Sequence, residues 1–170
     1  MIKIRLLILI TAVGGLLLYS CGYKFAGSGE LPSSVKRVSI SVLENKTAES
    51  GIENIITNDI IYEFNRHGKN VVRKDEADAF LTGVIDTATD VAISRSSTIA
   101  SLERRVVINI SLKLKGKDGN IIWTGSNITD DQAFTVLTDK IATENEMRKA
   151  IEILSKRLAE KVYNKLTDNF

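Results

Sequence analysis

The chain has 170 residues, of which 26% are charged, and its formal net charge at pH 7 is +2. Lys3 and Arg5 supply this excess, because the 150 residues after position 20 carry 21 basic and 21 acidic side chains. Such a balance removes the usual electrostatic basis for nucleic-acid binding. One cysteine and one histidine exclude an internal disulfide and the usual zinc ligand sets. The length corresponds to one domain with a sizeable core.

Residues 1–20 are typical of an export signal. Their apolar or small stretch, Leu6–Leu18, is too short for a membrane-spanning helix, which needs about 20 residues. The following Tyr19-Ser20-Cys21 fits a bacterial lipobox, which predicts cleavage before Cys21 and its acylation with a diacylglycerol and an N-acyl chain. Two acyl chains suffice for stable membrane anchoring, whereas one does not. A plain secretory signal with an incidental cysteine and an uncleaved membrane helix are the alternatives.

The next segments predict a tether, a strand and a helix. Residues 21–34 are rich in glycine and serine and form the tether, whereas Val35–Leu43 alternates between apolar and polar residues as a half-buried strand does. Ser50 and Glu53 have the spacing of a capping box. The helix is therefore predicted over 51–67, and its apolar face consists of Ile52, Ile56, Ile60 and Phe64.

Alternation at a period of two returns after residue 77 and predicts three more strands. They cover 79–93, 104–115 and 121–136, with a break in the last near Asp130-Asp131. Residues 94–101 are rich in serine and threonine and are predicted to form a loop. The Asp-Gly pair in Lys117–Asn120 predicts a hairpin turn, because such turns require positive φ angles.

A second capping box, Thr143 with Glu146, predicts the start of the last helix. Its apolar stripe is Met147, Ile151, Leu154, Leu158, Val162 and Leu166. The order β-α-β-β-β-α, with one apolar face per element, predicts an α+β two-layer sandwich. Its sheet is expected to have four strands, mostly antiparallel or mixed, with both helices on one face.

Residues for catalysis are few. His67 lies at a predicted helix end and is interpreted as a surface residue rather than a general base. Asp130 and Asp131 are adjacent carboxylates, which are more often solvated than hydrolytic or calcium-binding. We therefore predict that the protein is not an enzyme and needs no cofactor or metal beyond the acyl chains on Cys21.

The order of several short motifs resembles the lipopolysaccharide (LPS) assembly lipoprotein family LptE. These motifs are Cys21-Gly22-Tyr23, Gly27, Leu31-Pro32, the strand Val38–Leu43, Glu44-Asn45-Lys46-Thr47, Glu63-Phe64 and Ala77–Ile85. The likeness covers essentially the whole chain after the signal. It implies a signal peptide at 1–20, a lipidated tether at 21–34 and an LptE-like α/β domain at 35–170.

The resemblance also implies a location and partners. Family members are outer-membrane lipoproteins that face the periplasm, plug the lumen of the β-barrel protein LptD, help it assemble and bind LPS on its way to the outer leaflet. Gly22 after the cysteine, rather than aspartate, is similar to lipoproteins that are forwarded to the outer membrane. The implied partners are LptD, LPS and the inner leaflet, and no nucleic acid.

Basic residues on the third predicted strand are candidates for LPS binding. Arg105, Lys113 and Lys115 project from one face, with Lys117 at the following turn. Such a row could pair with the phosphates of lipid A, or with acidic residues of a barrel wall, through charge-assisted hydrogen bonds. The alternative is an ordinary solvated sheet face.

A different lipoprotein adaptor, such as an LpoB-like activator of a peptidoglycan synthase, is the alternative function. Such activators carry a long tether that crosses the periplasm. The tether here, about a dozen residues, reaches only about 40 Å when fully extended, which favours a partner held at the membrane.

Overall fold

Residues 31–32, 35–93 and 102–168 are described by the structure, a computed structural model. In this part of the chain six strands and two helices follow one another as β1 (Arg37–Ile40), β2 (Glu44–Asn45), α1 (Ile52–Arg66), β3 (Asn70–Val71), β4 (Ala79–Ala92), β5 (Leu102–Gly116), β6 (Ile121–Val136) and α2 (Lys140–Thr167).

The six described strands form one mixed sheet. Its order is β3-β1-β4-β5-β6, and β2 also pairs with β4. The β1 strand is parallel to β3 and β4, whereas β4, β5 and β6 are antiparallel neighbours. The α+β class and the mixed sheet are confirmed. The predicted count of four strands is wrong, because β2 and β3 are two residues long and too short to produce a periodic pattern.

The first predicted strand, 35–43, is divided in the structure. Its regular pairing ends at Ile40, and Leu43 rather than Val42 becomes buried, leaving Val42 59% exposed. The backbone N–H of Leu43 then donates to Thr57 Oγ1 of α1 at 3.1 Å instead of to a neighbouring strand. This hydrogen bond to a side chain takes the place of a hydrogen bond between strands, so the chain pairs with the sheet again only at β2.

The strands β4, β5 and β6 form a long meander, and the turn after β5 has the predicted positive φ at Gly119, +85°. β6 runs without interruption through Asp130, so the predicted break there is wrong. Irregularities lie instead at Asn127, where φ is +54° and three steps along β6 oppose two along β5, and between Ile121 and Trp123, where two steps along β6 oppose one along β5. An extra residue of this kind is a β-bulge, which bends and twists the strand locally.

The first helix agrees with the prediction to within one residue at each end. Its N-cap is Gly51, with φ +89°, and no side chain caps it. Glu53 Oε2 accepts from the backbone N–H of Gly51 at 3.1 Å and from Asn45 Nδ2 at 2.8 Å. The expected capping box therefore forms only in part. The Glu53 side chain accepts from a backbone N–H at the helix start, but the Ser50 side chain does not cap the helix.

The second helix begins three residues before its predicted start at Thr143. Asp139 is the N-cap, and its Oδ1 accepts from the backbone N–H of Ala142 at 2.9 Å. The Thr143 hydroxyl bonds instead to the carbonyl oxygens of Leu137 and Asp139. The predicted start was wrong because an equally good cap precedes it.

Both helices pack on one face of the sheet, and the core lies between these two layers. Phe64 of α1 and Tyr163 of α2 meet edge to face with ring centroids 5.4 Å apart. Each fully buried Leu, Ile or Phe side chain contributes roughly 1.5–3 kcal/mol relative to exposure. The centre of the core consists of Ile56, Ile60, Phe64, Leu81, Ile85, Ile108, Ile110, Leu114, Leu154, Leu158 and Leu166.

Candidate functional site on the open face of the sheet

The face of the sheet that the helices leave uncovered carries the predicted lysines. Lys113 pairs with Thr82 on β4 and with Thr124 on β6, so these three side chains form one row across the strands. A shallow concavity of about 380 Å³ lies over this part of the face. It is lined by Glu44, Thr82, Gly83, Val84, Ser111, Leu112, Lys113, Lys115, Thr124 and Ser126.

Lys113 and Lys115 line this concavity, and Lys117 lies in the turn that follows β5. Lys113, Lys115 and Lys117 are exposed, and none forms an ion pair with another described residue. Asp118, the acidic residue nearest in sequence, uses its carboxylate within the turn, where Oδ1 accepts from the backbone N–H of Asn120. Three lysines without an ion-pair partner, beside hydroxyl groups and with Glu44 as the one acidic residue in the lining of the concavity, make this end of the face suited to a phosphate or a carboxylate.

Two glycines allow the sheet to form this surface. A Cβ atom on Gly83 would lie 2.6 Å from Leu43 Cδ2 and 2.9 Å from the carbonyl oxygen of Ser111. A Cβ on Gly125 would overlap the ring of Trp123. Leu43 and Trp123 therefore pack over bare backbone on either side of Leu112, which holds the strands in the register that places Thr82 and Thr124 beside Lys113.

Arg105 lies on the same face but does not join the lysines. It is eight residues from Lys113 along β5, a separation of about 26 Å at the usual rise per residue. Its Nε atom pairs with Asp131 Oδ2 at 3.1 Å, and both side chains are 46% exposed. The predicted row is thus divided into a lysine cluster, defined here as Lys113, Lys115 and Lys117, and a neutralised arginine at the far end.

The middle of the open face is polar, and its side chains form hydrogen bonds with one another. Ser111 donates to Asp86 Oδ2 at 2.6 Å, and Asn109 Nδ2 donates to Asn127 Oδ1 at 3.3 Å. The hydroxyls beside Lys113 were not singled out in the sequence. Their alternation within β4 and β6 was visible, but the register that brings Thr82 and Thr124 together with Lys113 depends on contacts between distant residues.

Other residues considered in the sequence have structural surroundings. His67 is half-buried, stacked on Tyr163 with ring centroids 4.1 Å apart, and its Nε2 lies 3.0 Å from Glu63 Oε1. It does end α1 as expected, but the ring is packed rather than free on the surface. Cys21 and its tether lie outside the described residues, except for Leu31 and Pro32.

No group of three or more His, Cys, Asp or Glu side chains in the described part of the chain is arranged to hold a metal ion. None of the described helices combines the length and the apolar character that crossing a membrane requires.

A comparison with protein-family models decides the family. The model for LptE, described as lipopolysaccharide-assembly, matches residues 35–166. The chain belongs to the LptE family. This assignment covers the whole sheet and nearly all of α2, and it confirms the resemblance inferred from the motifs. LptE proteins are lipopolysaccharide-assembly lipoproteins and are not a family of enzymes.

Solved structures with a similar fold include two that cover most of this LptE-family chain. Lipoprotein B from Nitrosomonas europaea has 17% sequence identity and a TM-score of 0.56, covering 88% of this chain and 92% of its own. The PelC dodecamer from Paraburkholderia phytofirmans has 16% identity and a TM-score of 0.50, covering 82% and 95%. Likeness at this identity establishes the fold alone. A sequence comparison with curated proteins gives no match.

Proposed function

We propose that the chain is an outer-membrane lipoprotein subunit of the LPS translocon. It is anchored through acylated Cys21 to the inner leaflet, plugs the LptD barrel and assists its assembly, and binds LPS during transport to the outer leaflet. The observation that carries this proposal is the match of the LPS-assembly family model to residues 35–166.

The lysine cluster supports the binding of LPS. Lipid A presents phosphates, and an ammonium group that has no other partner binds phosphate by a charge-assisted hydrogen bond. In the proposal Lys113 and Lys115 contact one phosphate group, Lys117 flanks it, and the hydroxyls of Thr82 and Thr124 donate beside them. Arg105 is a separate and weaker candidate, because a phosphate there must compete with Asp131.

The entry of the chain into the fold favours a role near the membrane. Leu31 and Val35 are buried, and the backbone N–H of Val35 donates to the carbonyl of Pro32. Arg37, at the start of β1, pairs with Asp78, whose carbonyl oxygen accepts from the backbone N–H of Lys117. The chain thus enters the fold at the end that carries the lysine cluster. Leu31 lies ten positions after Cys21, so this entry lies within about 35 Å of the acylated cysteine.

Purification of the acylated chain from outer membranes tests the partner. A large, heat-modifiable β-barrel that co-purifies in stoichiometric amount is the expected result. A penicillin-binding protein in its place would support the alternative of a peptidoglycan-synthase activator, and the chain without either would contradict both.

Charge reversal tests the lysine cluster. The double variant Lys113→Glu with Lys115→Glu is expected to weaken LPS binding by the purified chain by a factor on the order of ten to a hundred, since two charge-assisted contacts become repulsive. The matched control is Arg148→Glu with Lys156→Glu, which changes the net charge equally on exposed residues of α2. Equal LPS binding by the two double variants would remove the cluster from the proposal.

A further inference from the structure

The outer edge of β6 is the longest unpaired edge of the described sheet. β6 is the last strand in the order, has 16 residues, and has no described strand on its outer side. The strands near the opposite edge, β3 and β1, have only two and four residues. An outer strand leaves alternate backbone N–H and C=O groups unpaired, and proteins usually protect such an edge with lysine, proline, a β-bulge or a short strand. The two register shifts of β6 lie on either side of Thr124. β6 contains no lysine, arginine or proline.

Helix α2 protects the middle of this edge. Lys161 Nζ donates to the carbonyl oxygen of Thr129 at 3.0 Å, and Arg157 donates to the carbonyl oxygen of Asp131. Asp130 between them pairs with both cations at 3.2 Å. A further strand cannot pair with these carbonyl oxygens without displacing the two side chains, so the segment 129–131 is blocked.

The segment 121–126 of the same edge is not blocked. It has no charged residue, none of its backbone groups bonds to a described side chain, and Ile121 is 59% exposed. The regular pairing of this segment with β5 covers Trp123, Thr124 and Gly125, between the two register shifts of β6, and provides about 10 Å of strand centred on Thr124. An extended partner segment can pair with such an edge through main-chain hydrogen bonds, and side-chain pockets then select its sequence.

The charges beside this segment indicate the chemistry of the occupant. The side chain in register with Thr124 on an added strand would extend the row of Thr82, Lys113 and Thr124. Thr124 is short, so Lys113 can lean across it towards a carboxylate in that position. A second copy of β6 is less suited, because its own segment 121–126 carries no acidic residue.

We infer that segment 121–126 of β6 is a strand-addition site for an extended, acid-bearing segment of the barrel partner. The added strand pairs with the edge by main-chain hydrogen bonds and directs an aspartate or glutamate over Thr124 towards Lys113. This inference rests on the proposed function, since it takes LptD as the source of the segment.

Residue-resolved amide hydrogen exchange of the acylated chain, alone and in complex with LptD, tests the site. Those amides of residues 121–126 that point away from β5 are expected to slow by about tenfold or more in the complex. The amides that point towards β5 and those of 129–131 should change little. Protection of 121–126 in the isolated chain that grows with concentration would identify a second copy as the occupant and overturn the inference.

Two threonine variants test the carboxylate. Thr124→Glu is expected to lower the recovery of LptD by a factor on the order of ten, because it opposes the acidic segment. Thr129→Glu is the control, since it puts the same charge on an exposed residue of the blocked segment. A complex that forms without protection of 121–126, or equal recovery with both variants, overturns this inference alone. Failure of the wild-type chain to recover any barrel overturns the proposed function and the inference together.

Discussion

At the scale of single residues, Asp130 joins helix α2 to the outer strand. Its side chain is only 12% exposed and lies 3.2 Å from both Arg157 Nε and Lys161 Nζ. Burial by itself would raise the pKa of this carboxyl, but hydrogen bonds from Arg157, from the backbone N–H of Asp131 and from Lys161 outweigh it, so its pKa lies below the ordinary value. The charged form is therefore the one that stabilises the fold.

Asp130→Asn is expected to lower the free energy of unfolding at pH 7 by about 1–3 kcal/mol, because charge-assisted hydrogen bonds are lost. A lowered pKa in the folded state stabilises the protein above the pKa of the unfolded chain, near 3.9, and this stabilisation is lost as the pH falls through the folded value. The difference between wild type and variant, measured by urea unfolding, should therefore be largest at neutral pH and shrink below about pH 4.

The control for this prediction is the neighbouring Asp131→Asn. Asp131 pairs with Arg105 while both are nearly half exposed, and such surface pairs contribute below about 1 kcal/mol. Equal losses from the two variants, or a loss at Asp130 that stays constant between pH 7 and pH 3, would contradict the assigned role.

At the scale of elements, the ends of the helices depend on local hydrogen bonds that compete with one another. Asp139 and Thr143 each offer a side-chain oxygen near the start of α2. Asp139 is the N-cap, whereas the Thr143 hydroxyl donates to the carbonyl oxygen of Leu137, before the helix. In α1 the N-cap is Gly51, which has a positive φ, and the Glu53 carboxylate accepts a hydrogen bond from the backbone N–H of Gly51. A capping motif therefore indicates that a helix begins nearby but does not decide which residue begins it.

Asp139→Ala is expected to lower the free energy of unfolding by about 0.5–2 kcal/mol, because the N–H of Ala142 loses its acceptor at the first turn. Glu146→Ala, which would remove the predicted capping box, should cost clearly less, since Glu146 pairs only with Lys149 on the exposed side of the helix. Urea unfolding of both variants measures the difference. A larger loss from Glu146→Ala would favour the helix start at Thr143.

At the scale of the whole molecule, the chain entry and the lysine cluster lie at the same end of the sheet. The chain enters the core through Leu31 and Val35 at the end of the sheet where the turn carrying Lys117 is bonded to Asp78. In the proposed function this end is tied to acylated Cys21 by a short tether, which would raise its effective concentration at the membrane and at any partner held there. Under that proposal, location contributes to binding together with surface chemistry.

Cys21→Ser is expected to leave the protein exported but not acylated, so that any chain not held by the barrel moves to the soluble fraction of the envelope, because the acyl chains are the only membrane anchor of the free chain in the proposal. Intact-mass spectrometry and membrane fractionation measure both effects. The double variant Cys21→Ser with Ser28→Cys is the control: it restores the thiol but not its position after the signal, and it should also remain unacylated. Wild-type protein recovered without acyl chains would contradict the anchor.

The two helices, the three long strands and the hairpin turn followed from the sequence alone, because periodicity and turn chemistry act between residues close in the chain. The same alternation placed Lys113 and Lys115 on one face of β5. Only the tertiary structure decided that β2 and β3 join the sheet, that Arg105 is neutralised by Asp131, and that Thr82 and Thr124 lie beside Lys113. Those outcomes depend on strand register, which is set by packing between residues far apart in the chain, such as Leu43 over Gly83, and no local pattern contains that information.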